Sequence, residues 1–380
     1  MTASFWQLWH RYRLSPEDAT AFRGDKFKTL NNLFWVSLEG APGGQDTVRI
    51  VPTVEVLEDN YWRAGEMQRS IRSRLLAVRG EYRHHGPGML TGLRLNLHHL
   101  RGSGLIHWRT RREVQLELSP FFRREFGSFQ LNASGTLFAH SQLDTRIGAQ
   151  LSLGWWVSPT FKLEWHGNQS YRATPLLWRS IEDTLIQPVA SNRPLRATSL
   201  AIAGMYTAGT LALRGGLFYA EMADYPVLNA TDGEWRLRRW VNRGGWLQAA
   251  VSRGPFTLTE AFTWNQNYRQ VLAPRIDNIT TVSLRTSLFK QKLKLKGALI
   301  WRTIGSRRLI DFNRLLSLYT PGNQTAPAAH VLDGRIQAHI GDAYLFFVWE
   351  NLLSTDFQII RGTAEQFRLF RLGVDWVVFD

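Results

Sequence analysis

The chain ends in Phe367-Arg368-Leu369-Phe370-Arg371-Leu372-Gly373-Val374-Asp375-Trp376-Val377-Val378-Phe379-Asp380, and the reading of this stretch decides the fold. In an extended strand successive side chains point to opposite sides. Phe370, Leu372, Val374, Trp376 and Val378 therefore share one face, while Arg371, Gly373, Asp375 and Val377 share the other. One face is apolar and aromatic; the opposite face carries both signs of charge and a glycine. One such strand suits a soluble sheet as well as a membrane wall, so the weight falls on recurrence.

The same alternation returns along most of the chain. Leu93, Leu95 and Leu97 oppose Arg94, Asn96 and His98; Ile147, Ala149, Leu151, Leu153 and Trp155 oppose Arg146, Gln150 and Ser152. Leu293, Leu295, Leu299 and Trp301 oppose Lys294, Lys296 and Arg302. Between these segments short Gly, Pro and polar turns (Ser158-Pro159, Arg253-Gly254-Pro255, Gly341-Asp342) alternate with long connections such as 168–195, 221–243 and 306–330. Short turns at one end and long loops at the other are the mark of an outer-membrane barrel. The expected fold is all-β, a transmembrane antiparallel up-and-down β-barrel of about 16–18 strands. Pro52 demotes its own segment to an edge or a distorted site, because it cannot donate to a ladder.

Composition is consistent with this. The 380 residues are 44% hydrophobic with a mean hydropathy of −0.24 and no apolar run long enough for a membrane helix, which excludes a helical membrane protein but not a barrel. With no cysteine there are neither disulfides nor thiolate metal sites, and no secretory leader is legible in Met1–Arg13. Residues 1–29 are expected to be an irregular or helical segment, with Ser15-Pro16 as a helix start. Residues 30–72 are expected to hold two first strands and a charged linker or short helix, and residues 73–380 the barrel.

The large residues sort into two girdles. Trp155, Tyr206, Phe256, Phe289 and Trp376 stand beside short turns, and Tyr219, Trp264, Trp301, Trp349 and Phe370 beside long loops, as amphipathic rings do at the two membrane interfaces. Glu260 resists this order, lying on the apolar face with Leu258 and Phe262; a bulge or a rim position is the expectation for it.

The segment Asp342-Ala343-Tyr344-Leu345-Phe346-Phe347-Val348-Trp349-Glu350-Asn351-Leu352-Leu353, followed by Phe370-Arg371-Leu372-Gly373-Val374-Asp375-Trp376, resembles the terminal hairpin of Bacteroidota-type outer-membrane barrels. That group includes TonB-dependent-receptor-like proteins and porin-like barrels. The shared marks are Glu-Asn-Leu after the penultimate strand and Arg-x-Gly-x-x-Trp in the last, with Arg371, Gly373, Trp376 and Val378 as the barrel-closing strand presented to the insertion machinery. The resemblance covers some forty residues of the 380 and speaks for the barrel class rather than for one transporter type. It implies the bacterial outer membrane, with its lipid, lipopolysaccharide and insertion machinery as partners and, for a receptor, a plug or TonB-type partner. No plug or TonB-box-like segment is read in the residues before 73, so the expectation is either a plugless porin-like barrel or a chain from which an upstream portion is missing.

The net charge of +15 then falls into place on the lumenal side. Arg79, Arg94, Arg146, Lys162, Arg214, Arg285, Lys294, Lys296, Arg302 and Arg335 lie on the polar faces and are the candidate pore-lining cations. Two readings stay open: these cations bias the pore towards small polar or anionic solutes, or they fill the interior as salt bridges. The function expected is a porin-like channel for such solutes, the alternative being the barrel of a TonB-dependent-receptor-like nutrient transporter lacking its plug in this chain. Trp235-Arg236-Leu237-Arg238-Arg239-Trp240 falls in a long loop and holds lipopolysaccharide phosphates or is simply solvated. Neither a cofactor nor a metal site is expected. An enzyme is not expected either, because His84-His85 and His98-His99 lack metal-helix spacing and no Gly-x-Ser-x-Gly elbow occurs. Nucleic-acid binding fails on a different count: the aromatics follow the apolar faces rather than the arginines.

Overall fold

The computed structural model describes residues 2–13, 26–63, 66–105, 110–174, 189, 191–228, 235–269, 273–313, 318–359, 361 and 368–376. Its first part holds β1 (Thr2–Arg13), β2 (Lys26–Gly43), β3 (Asp46–Arg63), β4 (Glu66–Gly86), β5 (Met89–Leu105) and β6 (Arg111–Phe126). Next come β7 (Phe129–His140), β8 (Arg146–Ser158), β9 (Phe161–Arg172), β10 (Leu195–Ala208), β11 (Leu211–Leu228), β12 (Trp235–Arg253) and β13 (Phe256–Asn265). The last part holds β14 (Ile276–Leu288), β15 (Leu293–Ile304), β16 (Arg307–Asn313), β17 (Leu318–Ala326), β18 (Ala329–Ile340), β19 (Ala343–Glu350) and β20 (Leu369–Trp376).

Each strand from β1 to β15 pairs antiparallel with the next, and the wall continues through β18, β19 and β20. Among the described residues the result is an eighteen-stranded up-and-down sheet, the architecture of a transmembrane β-barrel. β16 and β17 form a separate hairpin inside the connection from β15 to β18. Among the described residues β1 bridges β2 alone and β20 bridges β19 alone.

Two expectations about the N-terminal region are corrected. Thr2–Arg13 is a wall strand, paired along its length with Lys26–Ser37, rather than an irregular or helical segment; Ser15–Asp18 lies outside the described residues. The charged stretch 57–72 is neither linker nor helix, because it forms the ends of β3 and β4, with Arg72 Nε 3.1 Å from Glu58 Oε1 across the pair. The wall therefore begins well before residue 73. Pro52 is not on an edge either. It pairs with Val78 on one side and leaves a gap in the ladder to β2 between Thr53 and Ile50 on the other, which is the local distortion a residue without an N–H imposes.

Five of the short turns rest on left-handed glycines. Gly88, Gly127, Gly209, Gly254 and Gly341 all have φ between 54° and 63°, the conformation that two-residue hairpins require and that glycine adopts without Cβ strain. The β14–β15 turn differs: Phe289, Lys290 and Gln291 hold φ of 52°, 54° and 71° without a glycine among them.

The outward face is apolar where a soluble protein would be polar. Leu217 is 64% exposed, Leu299 56% and Leu372 59%, and they belong to a continuous set that includes Leu93, Leu95, Leu97, Leu151, Ile202, Val282 and Ile340. Apolar area on this scale is stable only against hydrocarbon. Phe126, Phe129 and Trp155 stack beside the short turns at 6.1 and 5.9 Å between ring centroids. At the opposite end Trp349 and Phe370 meet at 5.6 Å, and Trp301 lies 5.7 Å from His330. Tyr206, Trp264 and Trp301 are exposed, whereas Tyr219 and Trp349 are half-buried. The side chain of Trp376 and all of Val378 lie outside the described residues. Glu260 is at neither a bulge nor a rim: its register runs unbroken to Ala249 and Thr280, and it stands midway between Phe256 and Trp264 on the outward face.

Candidate functional site

The lumenal face is the complement of the outward one, and strand parity assigns every candidate cation to it. Register then decides which of them meet carboxylates. Glu81 on β4 takes Arg83 (2.7 Å) from its own strand and Arg94 (2.9 Å) from β5, and Arg94 also lies 4.5 Å from the centroid of the Phe121 ring. Glu164 on β9 takes Lys162 (2.7 Å) and, across β10, Arg214 (3.2 Å) from β11. Each of these cations sits over an indole, Lys162 over Trp156 at 4.2 Å and Arg214 over Trp246 at 5.3 Å. Arg302 pairs with Asp277 at 3.3 Å and Arg146 with Asp144 at 2.9 Å. In the closing hairpin Arg371 reaches Glu350 at 2.6 Å. For these residues the interior-filling reading describes the contacts. Long flexible cations are pinned by a carboxylate on one side and, at three of them, by a ring on the other.

Arg285, Lys294 and Lys296 are arranged differently. Lys296 faces Arg285 across β14 and Gln337 across β18, while Lys294 faces Ser287 and His339. No carboxylate stands in those rows on the flanking strands, the first in register with Lys294 being Asp375 beyond His339 and Tyr344, and among the described residues none of the three makes an ion pair. They line a lumenal recess of about 460 Å³ near the short-turn end, with Gln337, His339 and Tyr344 opposite. His339 and Tyr344 are stacked face to face at 4.0 Å, with their planes 4° apart, so one wall of the recess is rigid. Arg79 and Arg335 are also without an ion pair among the described residues. Arg79 belongs to a separate recess of about 540 Å³ with Arg49, Glu55, Glu81 and Asn96, where cations and carboxylates are mixed. The structure therefore gathers three of the ten candidates into one uncompensated cationic patch and distributes the others.

The remaining architecture holds the long-loop end together. Asn351 is 1% exposed with φ of 52°, a conformation asparagine tolerates better than most residues. Its amide donates to Thr355 O (2.9 Å), its Oδ1 accepts from Thr355 N (2.9 Å), and its own N–H donates to Asp333 (2.8 Å). Part of the connection from β9 to β10 packs on the β7–β8 loop through Asp144 N to Asn192 O and Asn192 Nδ2 to Asp144, burying Leu143, Val189 and Pro194 nearby. Three lumenal Gly–Phe pairs escaped the sequence reading: Gly92 with Phe121, Gly244 with Phe218 and Gly373 with Phe346, each directly opposed across a strand pair. In each a ring lies where a Cβ would stand, the Phe346 Cζ being 2.0 Å from the Cβ position of Gly373. A glycine opposite an aromatic on the polar face of a strand was the available signal. Among the described residues no cluster of His, Asp and Glu is placed to hold a metal ion.

Comparison with known proteins gives a fold and little else. Neither a protein-family profile nor a curated protein matches the sequence. Among solved structures, the F5-1 variant of the FrpB iron transporter from Neisseria meningitidis is similar to it, with a TM-score of 0.75 and 12% identity over 98% of this chain and 69% of that one. The siderophore receptor PirA from Acinetobacter baumannii matches 93% of this chain and 62% of its own at 9% identity and a TM-score of 0.71. The copper transporter OprC matches at 12% identity over 94% and 67%, with a TM-score of 0.67. At these identities the likeness is one of fold, an outer-membrane β-barrel, and this chain spans roughly two thirds of their length. The Bacteroidota type expected from the terminal hairpin is not carried by these likenesses.

Proposed function

We propose that this chain is the barrel of a bacterial outer-membrane uptake protein of the receptor type, and that its lumen passes small polar or anionic solutes. What carries the reading is the uncompensated patch of Arg285, Lys294 and Lys296 on the lumenal wall of a fold shared with an iron transporter, a siderophore receptor and a copper transporter. A surplus of one charge sign in a hydrated lumen raises the local concentration of counter-ions and lowers their entry barrier. Lipopolysaccharide, the insertion machinery and, for a receptor, a plug or TonB-type partner belong to this proposal.

An open porin-like channel for small polar or anionic solutes is the second reading, resting on the uncompensated lumenal cations of Arg285, Lys294 and Lys296. Planar-bilayer recording of the full chain under a salt gradient tests both. Steady conductance without added ligand favours the open channel, and silent membranes favour the receptor. In either case the reversal potential of ion flow through the lumen, opened by denaturant if necessary, is expected to report anion preference. Replacing Arg285, Lys294 and Lys296 by Gln should move that potential towards zero. A cation-selective lumen overturns the assignment of the patch.

A further inference from the structure

At the long-loop end, β10, β11 and β12 carry a second cationic cluster, on the outward face. Parity puts Arg196 with Leu200 and Ile202, Glu221 with Leu217 and Tyr219, and Arg239 and Arg243 with Leu247, all on the side that meets lipid. The run Trp235–Trp240 is thus not one loop patch. Arg239 belongs to this outward set, and Arg236 and Arg238 fall on the opposite face of β12.

Glu221 is the hub. Its Oε1 accepts from Arg196 Nη2 at 2.8 Å, and its Oε2 accepts from Arg239 Nη2 at 2.6 Å and from Tyr219 OH at 2.6 Å. Its side chain is only 7% exposed, while Arg196 and Arg239 are 40% and 64% exposed. One carboxylate therefore draws two partly exposed guanidiniums from strands on either side to within its own width. Arg243, one row nearer the membrane opposite Tyr219, makes no ion pair among the described residues. Three guanidiniums against one carboxylate leave a net +2 directly above an exposed apolar band of Leu200, Ile202, Leu217, Leu247 and Trp264.

We infer that this cluster binds a phosphate monoester on a lipid of the outer leaflet. Planar guanidiniums match phosphate oxygens in pairs, and a headgroup phosphate is the anion held at this height with its acyl chains beside the apolar band. The inference rests on the outer-membrane reading above. A free phosphate shares the chemistry but gains nothing from the band, so lipid is the source to which the geometry commits.

The test uses the full chain in detergent, titrated with diphosphorylated lipid A, with the same lipid stripped of phosphate, and with inorganic phosphate, bound lipid being counted by native mass spectrometry. Diphosphorylated lipid A is expected to bind at least tenfold more tightly than the stripped lipid, and inorganic phosphate at millimolar concentration to leave it bound. Arg196→Gln with Arg239→Gln should remove that preference. Arg243→Gln, which breaks no ion pair among the described residues, should weaken binding severalfold and serves if the double variant folds poorly. Equal binding of both lipids, unchanged binding by Arg243→Gln, or displacement by inorganic phosphate overturns the inference. A chain that remains soluble and binds no lipid at all refutes instead the membrane reading on which it stands.

Discussion

Glu260 offers the sharpest test of which way the sheet faces. It lies midway along β13 between Phe256 and Trp264, and its contact on the outward face is Thr280 Oγ1, donating at 2.6 Å. A strand advances about 3.3 Å per residue, or about 2.5 Å along the membrane normal at a tilt near 40°. The carboxyl group thus sits about 10 Å from either girdle, at the middle of an apolar band about 25 Å tall. Lipid-facing Arg or Lys at that depth costs about 2–4 kcal/mol and an acidic group less, so a cost of about 1–2 kcal/mol is assigned to Glu260. Glu260→Leu removes it and adds about 0.5 kcal/mol of favourable transfer, against about 1 kcal/mol for the lost hydrogen bond. The net expectation is a gain of about 1 kcal/mol.

Glu164→Leu is the mirror experiment on the lumenal face. It strands Lys162, 17% exposed, and Arg214, 47% exposed. Discounted for screening, the two pairs contribute about 0.2–1 kcal/mol each. The loss expected is therefore about 0.4–2 kcal/mol. Reversible urea unfolding in phosphatidylcholine vesicles, followed by tryptophan fluorescence, reads both. Opposite signs are the prediction. If Glu260→Leu destabilises as Glu164→Leu does, Glu260 does not face hydrocarbon and the inside–outside assignment of β12–β14 is wrong.

Gly373→Ala sets a Cβ against the movable edge of the Phe346 ring, costing about 1 kcal/mol, and Phe346→Leu in the same chain should recover most of it. Gly244→Ala instead meets the Trp264 carbonyl oxygen at 1.9 Å; it should cost about 3 kcal/mol and resist rescue by Phe218→Leu, with unfolding midpoints reading both cycles. Lys290→Gly relieves one left-handed non-glycine residue in the β14–β15 turn and should stabilise by about 1 kcal/mol; a loss in the same urea titration would refute the strain.

Where the wall touches lipid, the fold was legible in the sequence, and where it leaves lipid it was not. Alternation identified β5, β8, β14 and β15 because hydrocarbon enforces it one face at a time. β3 and β4 run Asp46–Arg63 and Glu66–Gly86, far longer than the 9–11 residues a tilted strand needs to cross. A stretch beyond the membrane crossing has no hydrocarbon to enforce alternation, which is why residues 57–72 read as linker. β1 escaped for a related reason: Phe5, Trp6, Leu8 and Trp9 do not keep a strict period of two. The total of eighteen strands was within the expected range, but it is reached with β1 included.

The lumenal site was half legible, and the missing half is a matter of register. Parity alone places Lys162 and Lys294 identically, each a cation on the polar face of its strand. What separates them is the content of the rows on either side. Lys162 shares its carboxylate, Glu164, with Arg214 from a strand fifty residues away, so the charge of both is spent on one partner. Lys294 and Lys296 look across at Ser287, Arg285, His339 and Gln337, and none of these carries a negative charge to spend. A count of basic residues cannot make that distinction, since it depends on which rows the hairpin turns bring level. The uncompensated charge gathered on this part of the lumenal wall is thus set less by the +15 of the whole chain than by which cross-strand rows Arg285, Lys294 and Lys296 occupy.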